Sequence, residues 1–391
     1  MKITSIDVIS IQPGYGMNLV YTRINTDEGI YGLGETGVAI GVGGIGAVEI
    51  IKGIAPMLIG MNPLENDVIW EKMYKNTFWG VGNGAFIISA ISAIDTALWD
   101  IKGKYFNVPV ATLLGGKHRN KLRCYASQLQ MGWREEGHCA CESPEELRDA
   151  ALKAMEDGYD AIKANVLGLG ENKQRRHHLE TTGYLSRSVM KRAEERLSAL
   201  RDAVGTDIDI IMENHAITDA NTAIQFASMA SEYDIMYLEE PAPPLNIEVF
   251  KHIAEFSPIP LATGERTYLR QGFRPLIESQ AVALLQPDLG NCGGITEAKK
   301  IADMAYVYDI PLQCHVCSGP MSVAAAIQFE SAIPNFVIHE VHPTNTLKII
   351  TELGTNDYQP ENGYITVPDL PGFGMDLSEK ALNMAKIVTV K

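Results

Sequence analysis

The sequence is short of three things, and each shortage excludes a class of protein. No stretch approaches the ~18 consecutive apolar residues that a membrane-spanning helix requires. Near the N-terminus, Asp7 and Ser10 interrupt the apolar run that a secretory leader would need, so the expectation is a soluble, cytoplasmic protein. Basic residues are scarce: 33 Lys and Arg stand against 48 Asp and Glu, a formal net charge of −15. Phosphate neutralisation needs a basic face, so a nucleic-acid partner is excluded. Cysteine is the third shortage. The six cysteines (Cys124, Cys139, Cys141, Cys292, Cys314 and Cys317) show none of the repeated short spacing of a structural zinc site. Cys314-His-Val-Cys317 has C-x-x-C spacing but lacks the thioredoxin-like βαβ context of a redox pair, and reduced thiols are expected.

What is present is a chain able to bury a large core. Its 391 residues are 46% hydrophobic and 21% charged, inside the globular range. That length accommodates one α/β barrel of about 250 residues and a smaller unit. Residues 1–120 read as that smaller unit, an α+β capping domain. Three β-like runs, Ile3–Ile11, Leu19–Thr26 and Ile30–Glu35, precede helical patterns at Ala47–Leu58, Pro63–Asn76 and Gly84–Tyr105. Between them lies the glycine-dense stretch Gly34–Gly46. Its end fits G-x-G-x-x-G, but no second parallel strand follows to complete a dinucleotide-binding unit, and a mobile loop is the better reading.

From Lys121 the texture changes to short apolar strands alternating with amphipathic helices. The strand candidates are Leu122–Ala126, Ala161–Asn165, Ile208–Glu213, Met236–Glu239, Leu261–Thr263, Ala283–Gln286, Leu312–His315 and Phe336–Glu340. Eight strands in this rhythm predict an α/β fold, a (β/α)8 or modified TIM barrel over residues 121–341, with its active site at the C-terminal strand ends. The polar insert Gly168–Ser186 is expected to form a loop over that mouth. The turn-rich segment 342–391 does not read as barrel, and is expected to return to the capping domain.

The polar residues that end the strands carry the chemistry. Glu213, Glu239 and Glu265 close the third, fourth and fifth strands at intervals of 26 residues, one βα unit each. A single such glutamate would read as a strand-end salt bridge. Three at one height cannot all ionise cheaply without a cation among them, and three oxygen donors suit Mg2+. Asp288 and His315 end the sixth and seventh strands, again about one unit apart. A carboxylate bonded to a ring N–H orients an imidazole and raises its basicity, as a general base requires; alone, His315 could equally be a packing histidine. Glu340 ends the eighth strand, and Lys163-Ala-Asn165 ends the second.

With these residues in view the chain resembles the enolase superfamily, its mandelate racemase-like subgroup, and within it the acid-sugar, galactonate-type dehydratases. The resemblance runs the whole length, through Ala93-Ile94-Asp95-Thr-Ala-Leu-Trp-Asp100, Glu239-Glu-Pro241, Gly264-Glu-Arg266, Gln286-Pro-Asp288 and Cys292-Gly-Gly-Ile-Thr296. It implies Glu213, Glu239 and Glu265 as Mg2+ ligands, His315 with Asp288 as the base dyad, and Glu340 with Lys163 stabilising an enediolate. Racemases of this type commonly carry Lys-x-Lys at the second strand, its second lysine a base. Asn165 in that place cannot accept a proton usefully, and is assigned to substrate binding. His215, two residues after Glu213, matches the acid that protonates a departing 3-hydroxyl in sugar-acid dehydratases. Glu213 itself departs from the pattern, which more usually has aspartate.

The implied function is Mg2+-dependent dehydration of an aldonate to a 2-keto-3-deoxy acid, by a lyase whose partner is a small carboxylate and whose assembly is a homo-oligomer. Two alternatives stand beside it: an epimerase, racemase or cycloisomerase recruiting Lys163 as second base, and a catalytically idle binding or regulatory protein.

Overall fold

The computed structural model describes residues 1–134, 140–170 and 173–391, so Cys139 lies outside the described residues. Strands β1 (Ile3–Gly14), β2 (Met17–Thr26) and β3 (Tyr31–Glu35) form an antiparallel sheet, to whose β1 edge the C-terminal strand Lys386–Val390 adds. Alternation along the strands divides their side chains between two cores. Ile6, Val8, Val20 and Ile24 pack with helices α1 (Gly43–Ile54), α2 (Asn66–Asn76) and α3 (Ala85–Phe106), through Ile51, Trp70, Ile91 and Leu98. Ile9, Ile11, Leu19 and Leu33, on the opposite face, join the core of the barrel. The sheet is therefore the layer that seats the cap. β3 lies so close to α3 that a Cβ at Gly34 would come within 2.0 Å of the Ala93 carbonyl, which only glycine avoids.

The glycine-rich stretch differs from the sequence expectation: its second half is not loop, because Gly43 already opens α1 and the helix runs on through Gly44 and Gly46. Gly44 packs against Asn18 at a distance that leaves no room for a side chain, so the glycines serve helix-to-strand packing.

After a short α4 (Val110–Leu113) the barrel begins. Its parallel strands are β4 (Lys121–Ala126), β5 (Ala161–Ala164), β6 (Asp209–Glu213), β7 (Ile235–Glu239), β8 (Leu261–Thr263), β9 (Leu284–Leu285) and β10 (His339–Val341). β10 pairs back onto β4. Helices α5 (Pro144–Glu156), α6 (Arg187–Val204), α7 (Ala220–Ala230), α8 (Ile247–Phe256), α9 (Leu269–Ser279), α10 (Gly294–Tyr306) and α11 (Pro320–Ala332) provide the crossovers. Their starts are locally encoded: Ser143 and Glu146 make a reciprocal capping box on α5, and Ser186 caps α6.

Two strand expectations change. The seventh strand is reduced to parallel bridges from Leu312 to Leu285 and to Phe336, because the N–H groups beyond it are taken by side-chain carboxylates. The tail also contributes to the barrel sheet: β11 (Tyr364–Thr366) runs antiparallel along the start of β4, pairing Tyr364 with Arg123. Among the described residues no helix is long and apolar enough to cross a membrane. Cys314 and Cys317, like Cys124 and Cys292, are buried free thiols, and the C-x-x-C pair is not joined.

Candidate active site

The barrel interior is filled by one layer in which Tyr125, Ala161, Ile211, Tyr237, Ala262, Leu284 and Ile338 touch. In a strand, residues two apart share a face. One step beyond this layer lie Ser127, Lys163, Glu213, Glu239, Gln286 and Glu340, and two steps beyond lie Asn165, His215 and Asp288. The same alternation that packs the barrel thus turns the polar residues into its mouth. The fifth strand reaches the same place through Gly264, where a Cβ would lie 2.5 Å from the Gln286 backbone; glycine lets the chain press against the sixth strand before Glu265.

Glu213, Glu239 and Glu265 each offer one carboxylate oxygen within 4.8 Å of the others. Their environment separates them. Burial and the neighbouring Glu265 push Glu213 up to about 7 against the pull of Lys163. Burial, followed by Glu213, pushes Glu239 well above the usual carboxylate range. For Glu265 burial is outweighed by His315 and Arg266, which hold it down at about 2. Glu213 Oε2 is buried and accepts no hydrogen bond, its nearest cation being Lys163 Nζ at 3.4 Å. A buried carboxylate oxygen without a hydrogen bond, in a ring of three carboxylates, is the donor set a hard divalent cation satisfies, and the residues fit Mg2+.

Lys163 forms the floor of the site. Fully buried, its Nζ is 2.9 Å from both oxygens of Glu239 and 2.9 Å from Glu340 Oε1. Burial disfavours its charge, but Glu239 and Glu340 outweigh it, and the ammonium holds its proton well above the ordinary lysine range. Glu340 also accepts from Ser127 Oγ at 2.6 Å and from the Val316 N–H at 2.9 Å. Burial raises its proton affinity, and Lys163 and His315 more than reverse that, so the carboxyl stays ionised.

His315 Nδ1 lies 2.8 Å from Asp288 Oδ2, and Nε2 is 3.4 Å from Glu265 Oε2. Asp288 is itself held by the Gly290 N–H at 2.7 Å and Asn291 Nδ2 at 3.3 Å. Burial works against charge on the ring, yet Cys317, Glu265 and Asp288 outweigh it and raise its proton affinity well above the usual histidine range. His215 behaves oppositely: burial lowers it to about 4, leaving a neutral ring. It stands in the left-handed region with φ 47°, and this turn brings its N–H to 2.6 Å from Glu213 Oε1.

Asn165, assigned from sequence to the substrate, has its polar atoms engaged within the protein. Its Oδ1 accepts from the Leu167 and Gly168 N–H groups at 3.1 and 2.6 Å, and its Nδ2 is 2.9 Å from His215 Nδ1. It supports the second histidine. Three residues that sequence reasoning missed follow the first strand. Ser127 reaches Glu340, Gln130 accepts from the Asn165 N–H at 3.0 Å and donates to Gln128, and Gln128 Nε2 lies 3.2 Å from His215 Nε2. The signal was available: Ser127-Gln-Leu-Gln130 ends the first strand with polar residues, as the other strands end. Arg266 pairs with both Glu240 and Glu265 at the rim. The end of the insert leans on the third-strand loop, with Thr181 Oγ1 2.7 Å from the Ile217 carbonyl and the Gly183 N–H 2.6 Å from Asp219.

The cap closes on these loops. Glu35 accepts from the N–H groups of Gly319 and Ser322 at the start of α11, at 2.6 and 2.9 Å. Asp95 of α3 accepts from Thr296 N and Oγ1 at the start of α10, at 2.9 and 2.6 Å, while Ser89 and Ser92 bond Gly290 and Gly293. The loop carrying Asp288 is thereby clamped by the cap helix.

Two family models match the chain. Residues 8–115 match the mandelate racemase / muconate lactonizing enzyme, N-terminal domain family, and residues 146–381 match the enolase C-terminal domain-like family. A D-xylonate dehydratase of Haloferax volcanii is 33% identical over 384 residues, covering 97% of this chain and 88% of the relative. A D-galactonate dehydratase of Ralstonia pickettii is 31% identical over 387 residues, covering 97% and 93%. The crystal structure of a member of the enolase superfamily from Salmonella Typhimurium superposes with a TM-score of 0.97 at 47% identity, covering 100% of both chains.

Proposed function

The chain belongs to the mandelate racemase / muconate lactonizing enzyme family of the enolase superfamily, and from that premise we propose that it is a sugar-acid dehydratase, a hydro-lyase acting on an aldonate. The observation that carries the reading is two imidazoles of opposite character set against one carboxylate triad: His315 on Asp288 and Glu265, and His215 on Asn165 and Glu213.

Glu213, Glu239 and Glu265 would hold Mg2+, whose positive charge would stabilise negative charge developing on a substrate carboxylate and would offset the Glu265 charge that otherwise favours a protonated His315. His315 Nε2 removes the proton from C2, with Asp288 holding Nδ1–H and so fixing the ring and its tautomer. Lys163 lies where negative charge develops on the enediolate, and its charge is available without reorganisation because Glu239 and Glu340 already hold it. The C3–O bond then breaks, the hydroxide leaves with a proton from His215 as water, and the enol tautomerises to the 2-keto-3-deoxy acid. His215 is neutral at rest; the negative charge of the bound substrate raises its proton affinity, so the ring takes up a proton from solvent as substrate binds and gives it to the leaving hydroxide, returning to the neutral form.

The same geometry weighs against epimerisation. Lys163 Nζ is locked among carboxylates and fully buried, and is not placed to remove a proton as a second base. The reading places the enzyme in the cytoplasm, where sugar acids are catabolised.

The test is incubation with Mg2+ and a panel of aldonates, D-xylonate and D-galactonate among them, in deuterated water. Expected is a 2-keto-3-deoxy product from at least one acid. His315→Asn should lose both C2 exchange and product, whereas His215→Asn should keep exchange and lose product. Epimerisation at C2 with no dehydration of any acid would overturn the proposal.

A further inference from the structure

The seventh strand bears the base yet has almost no β-ladder, which raises the question of what holds it in register. The Gln313 N–H reaches the Leu285 carbonyl at 3.0 Å and the His315 N–H reaches the Pro287 carbonyl at 3.2 Å, so one edge is tied to the sixth strand. On the other edge the backbone pairing ends with the Val337 N–H bonded to the Leu312 carbonyl at 3.2 Å. Beyond that point two carboxylates stand where strand carbonyls would be. Glu330 Oε1 accepts the Cys314 N–H at 2.8 Å, and Glu340 Oε2 accepts the Val316 N–H at 2.9 Å.

Glu330 belongs to α11, is fully buried, and uses its second oxygen on His339 Nδ1 at 2.5 Å. One carboxylate therefore grips the residue before His315 and the residue before Glu340. Its own position is secured from behind: Arg119 Nη1 donates to the carbonyls of Glu330 and Ile333, at 2.7 Å each. A buried acid would ordinarily be a liability, and here each of its oxygens meets a donor.

We propose that Glu330 is a positioning residue that sets the spacing between His315 and Glu340 by bridging the Cys314 backbone and the His339 ring. It touches no substrate. The assignment concerns geometry in the free protein, and only its kinetic consequence rests on the dehydratase reading. Substitution by glutamine keeps an oxygen for the Cys314 N–H but turns an amide nitrogen toward His339, so the two strand ends lose their common anchor.

Two measurements on the full-length protein test this. In 15N-histidine-labelled protein, Glu330→Gln should shift the ring resonances of both His339 and His315, assigned with His339→Asn and His315→Asn, and leave surface His252 in place. Unchanged His315 resonances would overturn the proposal. In the kinetic arm, Glu330→Gln should lower kcat roughly 10- to 100-fold with KM within about twofold, as loss of an orienting partner does. His339→Leu should do likewise, and His339→Asn, whose amide nitrogen overlies Nδ1, should recover most of the loss. Equal losses in His339→Leu and His339→Asn, or a KM effect alone, would also overturn it. If the wild-type protein dehydrates no aldonate, the functional reading falls, and the histidine spectra still decide the role of Glu330. Should Glu330→Gln fail to fold, His339→Leu carries both measurements.

Discussion

Asn165 Nδ2 lies 2.9 Å from His215 Nδ1, and the direction of that hydrogen bond is decided elsewhere, at the N–H groups of Leu167 and Gly168. Because both donate to Asn165 Oδ1, only the amide nitrogen can face the ring, and Nδ1 must accept. Gln128, whose oxygen takes the Gln130 amide, turns a second amide nitrogen toward Nε2 at the longer distance of 3.2 Å; the shorter contact at Nδ1 is the hydrogen bond, so the neutral ring carries its proton on Nε2, where it meets a donor and no acceptor. The Nε2–H thus has no competing acceptor in this network.

The first prediction is the tautomer. Ring 15N shifts of the wild-type protein should report His215 with Nε2–H and a bare Nδ1. In Asn165→Asp one oxygen keeps the Leu167 and Gly168 contacts and the other faces Nδ1, so the proton should move to Nδ1. An Nδ1–H tautomer in the wild type would mean the amide is reversed.

The carboxylate triad should bind one Mg2+ in calorimetry, with release of protons, because burial, with Glu265 for Glu213 and with Glu213 for Glu239, raises the proton affinity of both acids. Glu239→Gln and Glu265→Gln should each weaken binding at least about tenfold. Affinity unchanged in both variants would remove the triad as the metal site.

Replacing Lys163 by methionine leaves Glu213, Glu239 and Glu340 buried without their shared cation. Breaking a buried pair from one side costs about 3–5 kcal/mol. Lys163→Met should therefore lower the melting temperature sharply in chelator, and Mg2+ should restore part of it. A melting temperature equal to wild type in chelator would show that the ammonium does not compensate these acids.

Stability should also fall as pH rises from about 5 to 9, measured without metal. Burial, only partly offset by the Ser322 and Gly319 N–H groups, raises Glu35 from 4.5 to about 8, and burial raises Asp95 from 3.8 to about 7. Both bind a proton more tightly folded than unfolded. Their contribution is complete below the unfolded values and is lost as pH passes the folded ones. A tenfold difference in proton affinity is worth about 1.4 kcal/mol. Glu35→Gln and Asp95→Asn should each make thermal unfolding less pH-dependent over this interval, and slopes equal to wild type would contradict the assignment.

The barrel rhythm and the convergence of Glu213, Glu239 and Glu265 were legible in the sequence because both rest on local rules. A strand alternates its faces, a βα unit has a nearly constant length, and a polar residue ending an apolar strand must go to the rim. The pairing of Asp288 with His315 follows from the same arithmetic. Other features depended on contacts between residues far apart in the chain. The seventh strand reads as apolar and regular, yet Glu330 and Glu340 take the N–H groups a ladder would use. Asn165 is assigned from sequence to the substrate, yet its Oδ1 takes the Leu167 and Gly168 N–H groups and its Nδ2 orients His215. The glycines before α1 read as a loop, yet packing on Asn18 makes part of them helix. The sequence by itself determined which residues reach the mouth, since that follows from periodicity. Which charge each holds, which partner orients it and which strands stay paired were decided by the tertiary structure, because desolvation and hydrogen-bond partners exist only after distant segments meet.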